Sequence, residues 1–158
     1  MNPSGAIEGL AIAKAMRENL WLYPAVEIVH ILGFVMLVGS VVMFDLRVLG
    51  LSRQVSVRGL ARHLLPWSLA ALVLIVPTGL LMFSAHASDF ISNRAFQLKM
   101  GLLLAAGINA AIFHTGPYQG VARWDTNERA PAGARFSVAL SIAIWVSIIA
   151  CGRLLAYL

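Results

Sequence analysis

The sequence has a single cysteine and few charged residues. Cys151 is the only cysteine among 158 residues, which excludes an internal disulfide and a metal cluster held by the cysteines of one chain. Charged residues make up 12 % of the chain, against about 25 % in an ordinary soluble domain, whereas 59 % of the residues are hydrophobic. This composition indicates an integral membrane protein. We expect Cys151, which lies in the last apolar run, to be a packing residue.

The sequence also lacks the short motifs of common catalytic and nucleotide-binding sites. It has no glycine-rich phosphate loop, no nucleophile elbow and no zinc-protease helix, so no catalytic residue is predicted and an enzymatic activity stays open. The net charge of +5 does not indicate nucleic-acid binding, because the basic residues are spread between apolar runs rather than gathered in one stripe. We expect these residues to contact the headgroups of a lipid membrane.

Four segments are apolar enough to cross a bilayer as helices, and a helix needs about 20 residues to do so. They cover approximately residues 21–44, 65–83, 97–114 and 136–157. Residues 1–20 carry apolar positions on one side and predict an amphipathic helix that lies on the membrane surface. We therefore predict one all-α transmembrane domain over residues 1–158, an integral membrane antiparallel four-helix bundle with an N-terminal interfacial helix.

The distribution of lysine and arginine predicts the orientation of this bundle. The N-terminus, the second loop and the C-terminus share Lys14, Arg17, Arg94, Lys99 and Arg153. The first and third loops share Arg47, Arg53, Arg58, Arg62, Arg123, Arg129 and Arg135. Cytoplasmic loops carry the excess of basic residues, so we predict that the first and third loops are cytoplasmic and both termini lie outside.

All the histidines of the chain lie within the predicted spans or at their ends. Ionisable residues at membrane depth usually face the bundle interior or a cavity. Glu27 and His30 are three residues apart and so share a helical face. They have three interpretations: a structural pair in which the acid orients the imidazole, ligands of a di-iron centre, or a site in which His30 binds haem iron. A di-iron centre is disfavoured because only Asp45 adds a further carboxylate at membrane depth.

A haem with two axial histidines needs a second histidine at a similar depth on another helix. At a rise of about 1.5 Å per residue, the estimated depths favour His30 and His114 as the ligands of one haem b. A second arrangement uses two haems, with His86 paired to His30 and His63 paired to His114. His63 and His86 resemble ordinary histidines at helix ends, so one haem is favoured over two.

The other polar residues of the spans have both functional and structural interpretations. Lys99 or Arg47 is expected to hold a haem propionate, and Asn109 to face the first span or a cofactor. Lys99 is alternatively the ion-pair partner of Glu27, since each is otherwise an unpaired charge in a low dielectric. Asp45 and Arg47 are either a snorkelling helix end or an ion pair that gates proton entry.

The run ENLWLYPAVEIVHILGFVMLVGSVVMFDLRVLGLSR, with FQLKMGLLLAAGINAAIFH later, resembles an uncharacterised family of small bacterial four-helix membrane proteins. This resemblance implies a bacterial inner-membrane protein, and the count of basic residues then predicts that both termini lie in the periplasm. The layout is also distantly similar to the cytochrome b561 and copper-resistance membrane-domain group, in which histidines on adjacent helices bind haem or serve copper handling. The methionines form no Met-x-x-Met cluster, so copper binding is not expected.

Two functional hypotheses follow from these residues. The leading one is a membrane b-type haem protein that transfers electrons between a quinone or periplasmic donor and a partner, with Glu27 tuning the haem or relaying protons. The alternative is a cofactor-free small transporter, or a membrane anchor or assembly subunit. In that case Glu27, His30, Lys99 and His114 form a proton- or ion-responsive polar network. Under both hypotheses we expect a partner subunit or a homo-oligomer.

Overall fold

A computed structural model describes residues 3–155 and 157, and in that range the chain is helical and contains no strand. Its α-helices are α1 (Pro3–Glu8), α2 (Ala11–Glu18), α3 (Leu22–Leu49), α4 (Val57–Ala85), α5 (Ala87–Ser92), α6 (Arg94–Thr115) and α7 (Ala132–Leu154). A 3₁₀ helix, Pro117–Arg123, precedes α7. Helices α3, α4, α6 and α7 are long and apolar enough to cross a membrane. The predicted all-α class with four spans is confirmed.

The long helices extend beyond the predicted spans, most clearly in α4. The hydroxyl of Ser56 accepts a hydrogen bond of 2.9 Å from the amide of Gly59, so α4 begins at Val57 rather than near residue 65. The first turns of α4 therefore carry Arg58 and Arg62. Their charges lower the hydropathy of this segment, so the hydropathy pattern did not show where the helix begins. The predicted ranges 1–158, 1–20 and 136–157 include residues 1, 2, 156 and 158, which lie outside the described residues.

The N-terminal segment forms two short helices instead of the single interfacial helix that was predicted. Helix α2 buries Ala13 and Met16, and it packs against α4. The guanidinium of Arg17 donates a hydrogen bond of 2.9 Å to the carbonyl oxygen of Ala85, at the end of α4. The segment is thus docked on the protein, while the side chain of Leu10 stays exposed.

Helices α3 and α4 pack closely against each other at a glycine. A Cβ atom on Gly33 would lie 3.0 Å from Cγ1 of Ile75 and 3.2 Å from Cβ of Leu74, so a larger residue would push the two helices apart. Further along, the ring of Tyr23 lies 5.9 Å from that of His86. Residue numbers therefore rise along α3 while they fall along α4.

Residues 50–56 and 116–131 meet at one end of the bundle, which we call the loop end. The backbone amide of Asn127 donates to the carbonyl oxygen of Arg53 over 2.9 Å, and the backbone amide of Val57 donates to the backbone carbonyl oxygen of Asp125 over 3.0 Å. The opposite end carries α1, α2 and α5, and we call it the N-terminal end. A buried apolar cluster lies between the two ends and consists of Leu37, Ala71, Ile144, Trp145 and Ile148.

Large apolar side chains cover the outside of the long helices. Val73 on α4 is 71 % exposed and Leu104 on α6 is 67 % exposed. Exposed side chains of this kind are costly in water and favourable against lipid tails. Together with the lengths of the four helices, they support a lipid membrane as the environment of this chain.

Candidate functional site

His30 lies in the contact between α3 and α4. Its Nδ1 atom is 2.9 Å from the hydroxyl oxygen of Thr78. The ring also lies against Gly79, where a Cβ atom would come within 3.1 Å of Cε1 of the imidazole. Thr78 and Gly79 therefore line the space on α4 that holds this half-buried histidine.

The hydrogen bonds of Thr78 determine which ring nitrogen of His30 carries the proton. The Thr78 hydroxyl donates its one hydrogen to a backbone carbonyl of its own helix, that of Leu74 at 2.6 Å. It is therefore left to accept from Nδ1–H of His30. In the neutral imidazole, Nε2 then keeps a free lone pair, which is available for a proton or a metal ion.

Lys99 contacts α7 rather than the glutamate that was its predicted partner. The lysine is partly buried beside Cys151, and its Nζ atom lies 3.9 Å from the position of a Cβ atom on Gly152. Glu27 is exposed on the surface of α3. Within residues 3–155 and 157 the one contact between an acidic and a basic side chain within 4.0 Å joins His86 and Asp89 at 3.8 Å, so the predicted Glu27–Lys99 pair is not formed.

Asp45 is the most deeply buried acidic residue of the described chain. Its side chain is 3 % exposed, and its Oδ2 atom has no hydrogen-bond partner among the described residues. Ser141 on α7, which is 8 % exposed, faces the same carboxyl group. The predicted ion pair between Asp45 and Arg47 is absent, because the two side chains leave α3 in different directions.

Arg47 binds backbone carbonyl groups of both connections at the loop end. Its guanidinium donates to the carbonyl oxygens of Arg53 at 2.9 Å and Asp125 at 2.8 Å, and Nε donates to that of Val55. Three of its five N–H groups are therefore committed to the fold. The side chain is 4 % exposed. Arg47, predicted to hold a propionate or to gate protons, instead ties residues 50–56 to residues 116–131.

Asn109 has the hydrogen-bond partner that its mid-span position required, but on α7 and not on α3. Its Nδ2 atom donates to the carbonyl oxygen of Ser137 over 3.0 Å, and the Ser137 hydroxyl donates to its Oδ1 atom over 2.9 Å. Sequence reasoning missed Ser137, Ser141 and Thr78. Their hydroxyl groups inside apolar runs were the available signal, since serine and threonine side chains often form hydrogen bonds across membrane helices.

The structure does not bring His30 and His114 together. The Phe113 ring lies 5.7 Å from that of Phe44, so His114 is level with Phe44 at the loop end. Phe44 follows His30 by 14 residues on α3, a separation of about 21 Å along the helix axis. The exposed imidazole of His114 also engages the carbonyl oxygen of Ala110 on its own helix, at 2.8 Å. One haem between these two histidines does not fit this arrangement.

The remaining histidines lie at opposite ends of α4. His86 lies between α4 and α5, where its ring contacts that of Tyr23 edge-on and its Nδ1 atom lies 3.8 Å from a carboxylate oxygen of Asp89. His63 is exposed in the second turn of α4, at the loop end. His86 follows Thr78, the partner of His30, by eight residues, about 12 Å of helix. The two-haem arrangement therefore lacks its His30–His86 pair, whereas His63 and His114 both lie at the loop end.

The polar groups of the spans thus form two sets. His30, Thr78 and Lys99 lie toward the N-terminal end, and the Asp45–Ser141 pair lies toward the loop end. On α7, Cys151 beside Lys99 and Ser141 beside Asp45 are ten residues apart, about 15 Å. The buried side chains of Ile144, Trp145 and Ile148 fill that interval. An apolar layer therefore separates the two sets.

Comparison with known proteins gives one family and no characterised relative. The chain matches the sequence model of the family DUF6644, a family of unknown function, over residues 22–158. The matched residues include the four long helices and leave out α1 and α2. No curated protein and no solved structure matches the chain. The predicted resemblance to an uncharacterised family is confirmed, whereas the similarity to the cytochrome b561 group finds no support.

Proposed function

Since the chain belongs to DUF6644, a family of unknown function, we propose a function from the chemistry of its own residues. We propose that it is a small, cofactor-free membrane transport module that takes up and releases protons at Asp45. The observation that carries this proposal is the burial of Asp45 with one carboxyl oxygen unpartnered among the described residues. An ionisable group at membrane depth is costly, and it is usually functional.

A proton is the ligand that suits Asp45 best. An ionised carboxylate without a counter-ion is strongly disfavoured in an apolar interior, and a bound proton removes the charge. Calcium and magnesium need about six oxygen ligands. Within residues 3–155 and 157, no three histidine, cysteine or acidic side chains come together as metal ligands. Asp45 and the Ser141 hydroxyl are enough to hold a proton but too few to hold such a cation.

The position of Asp45 favours proton exchange with the loop end. Asp45 lies four residues before Leu49, the last residue of α3, about 6 Å from the end of the helix. His30, with its free Nε2 atom, is the proton acceptor nearer the N-terminal end. The apolar layer around Trp145 separates the two groups, so transfer across the membrane requires a change in helix packing.

The proposed setting is the bacterial inner membrane, with the loop end in the cytoplasm and the termini in the periplasm. Seven arginines lie in or beside the first and third loops, against five basic residues on the other side, and the positive-inside rule assigns the richer side to the cytoplasm. Exposed Glu27 lies only five residues inside α3. Because a carboxylate facing lipid is costly, we propose that a partner subunit or a second copy covers this face.

Proton flux into liposomes tests the proposal. The purified protein is reconstituted with an entrapped pH-sensitive dye, and a potassium gradient with valinomycin drives proton entry. We expect flux from the unaltered protein, and flux at the level of protein-free liposomes from Asp45→Asn. Asp89→Asn, which removes an exposed carboxylate, is the matched control and keeps full flux. Equal flux from the unaltered protein and Asp45→Asn would overturn the assignment.

Haem binding at His30 is the second candidate function. Histidines that bind metals usually donate their other ring N–H to a hydrogen-bond acceptor, and the bond from Nδ1 of His30 to Thr78 has that form. A second axial ligand would come from a group other than His114. A visible spectrum of protein purified from haem-replete cells tests this candidate. A b-type band that is lost in His30→Ala supports it, and a colourless folded protein rejects it.

A further inference from the structure

A groove opens at the loop end between the first turns of α4 and the 3₁₀ helix. Its volume is about 490 Å³. Arg58 and Arg62 lie on one wall, and Tyr118 and Gln119 lie on the other. We propose that this groove binds the headgroup of an anionic phospholipid. The proposal does not depend on the proposed proton transport.

The two arginines present a phosphate-binding pair. They are four residues apart on α4, so they share one helical face. Both side chains are exposed, and in the described part of the chain neither guanidinium forms an ion pair. The nearby carboxylate of Asp125 is already used, because it accepts hydrogen bonds from the Ser56 hydroxyl and the Arg58 amide. Free guanidinium groups bind phosphate through parallel N–H donors.

The opposite wall of the groove is rigid and adds polar groups. The ring of Tyr118 packs 5.8 Å from that of Phe113 and 6.4 Å from that of Phe44. The side-chain amide of Gln119 donates to the carbonyl oxygen of His114 at 3.0 Å. These contacts fix the wall against α6, so the groove does not have to form when a ligand binds.

The apolar surface that continues from the groove favours a lipid over a soluble anion. Leu65 lines the groove and is 52 % exposed, and Leu69, four residues further along the same face of α4, is 55 % exposed. A phospholipid whose phosphate lies between Arg58 and Arg62 would therefore place its acyl chains along this face of α4. Basic pockets beside membrane helices commonly bind anionic headgroups in this way.

Native mass spectrometry of the detergent-solubilised full chain, titrated with phosphatidylglycerol or phosphatidylcholine, tests the site. We expect Arg58→Gln/Arg62→Gln to weaken phosphatidylglycerol binding about 30-fold, with phosphatidylcholine unaffected. Arg123→Gln/Arg129→Gln removes the same charge from a neighbouring cleft at the loop end. This control is expected to stay within about twofold of the unaltered protein, because its arginines lie outside the groove.

Three results would overturn the proposal. Equal losses in the two double variants would mean diffuse attraction to the arginine-rich end, and no loss in either would mean that the groove binds no lipid. Displacement of phosphatidylglycerol by excess inorganic phosphate would identify a free-phosphate site. If the glutamine variant fails to fold, Arg58→Lys/Arg62→Lys takes its place, since it keeps the charge and loses the parallel donors. Unchanged affinity in that folded variant would exclude specific phosphate recognition.

Discussion

The imidazole of His30 occupies the space that Gly79 leaves by having no side chain. A Cβ atom at position 79 would lie 3.1 Å from Cε1 of the ring, tighter than an ordinary contact. The neighbouring Thr78 hydroxyl holds Nδ1 of the same ring at 2.9 Å. The glycine and the threonine together fix both the position and the tautomer of His30.

Substitution Gly79→Ala should therefore displace His30 from Thr78. We expect a loss of stability of about 1–3 kcal/mol, the usual cost of overpacking, measured by unfolding in sodium dodecyl sulfate. Gly107→Ala is the matched control, because a Cβ atom on Gly107 meets nothing within 4 Å. Gly107→Ala should be neutral or slightly stabilising, since alanine is the better helix former. Equal stability changes in the two variants would show that Gly79 does not make room for His30.

Substitution Arg47→Met should separate the two connections at the loop end. It removes one donor from each of the carbonyl oxygens of Val55, Arg53 and Asp125, of which the last two keep their backbone amide donors. We expect a loss of about 3 kcal/mol or more in the free energy of unfolding, because three hydrogen bonds from the buried guanidinium are lost. Arg94→Met, at an exposed position in α6, is the control and should change stability by less than about 0.5 kcal/mol. If Arg47→Met is as stable as the unaltered protein and the amides of the loop end stay protected from hydrogen exchange, Arg47 does not hold residues 50–56 against residues 116–131.

The docking of α1 on α5 should weaken at acidic pH. The Glu8 carboxylate accepts hydrogen bonds from the hydroxyl and the amide of Ser88, and these bonds lower the pKa of Glu8 below its usual value of 4.5. A lowered pKa means that the contact is fully present above pH 4.5 and is lost as the pH falls through the lowered pKa. Hydrogen exchange at the Ser88 amide measures this loss.

Substitution Glu8→Gln is the control for that pH dependence. Glutamine at position 8 carries no titrating group, so exchange at Ser88 should follow only the intrinsic chemistry of the amide in acid. If the unaltered protein and Glu8→Gln show the same pH profile, the Glu8–Ser88 contact does not hold α1 in place.

Hydropathy predicted the four membrane helices but not their full lengths. The apolar runs marked the middle of each span, and the start of α4 was missed because Arg58 and Arg62 lie inside a capped helix. Besides the Ser56 cap, the Arg58 amide at the start of α4 donates to the carboxylate of Asp125, 67 residues away in sequence, which no local pattern reveals. A tertiary contact therefore set a boundary that periodicity could not reveal.

The partners of the polar residues were harder to predict than the residues themselves. Asn109 needed a hydrogen-bond partner, and it has one, but the choice of Ser137 depends on how α6 faces α7. Glu27 lies three residues before His30 on α3, but its side chain is exposed, because α3 packs against α4 on the side that carries His30. Sequence spacing gives relative positions on one helix, and only packing decides which neighbour each face meets.

Infrared difference spectroscopy of the reconstituted protein between acidic and alkaline buffers tests the central claim, proton binding at Asp45, most directly. We predict a carbonyl band of a protonated carboxylic acid that is absent in Asp45→Asn and present in Asp89→Asn. If Asp45→Asn removes no such band, Asp45 exchanges no proton within the measured range and the proposed proton binding is wrong.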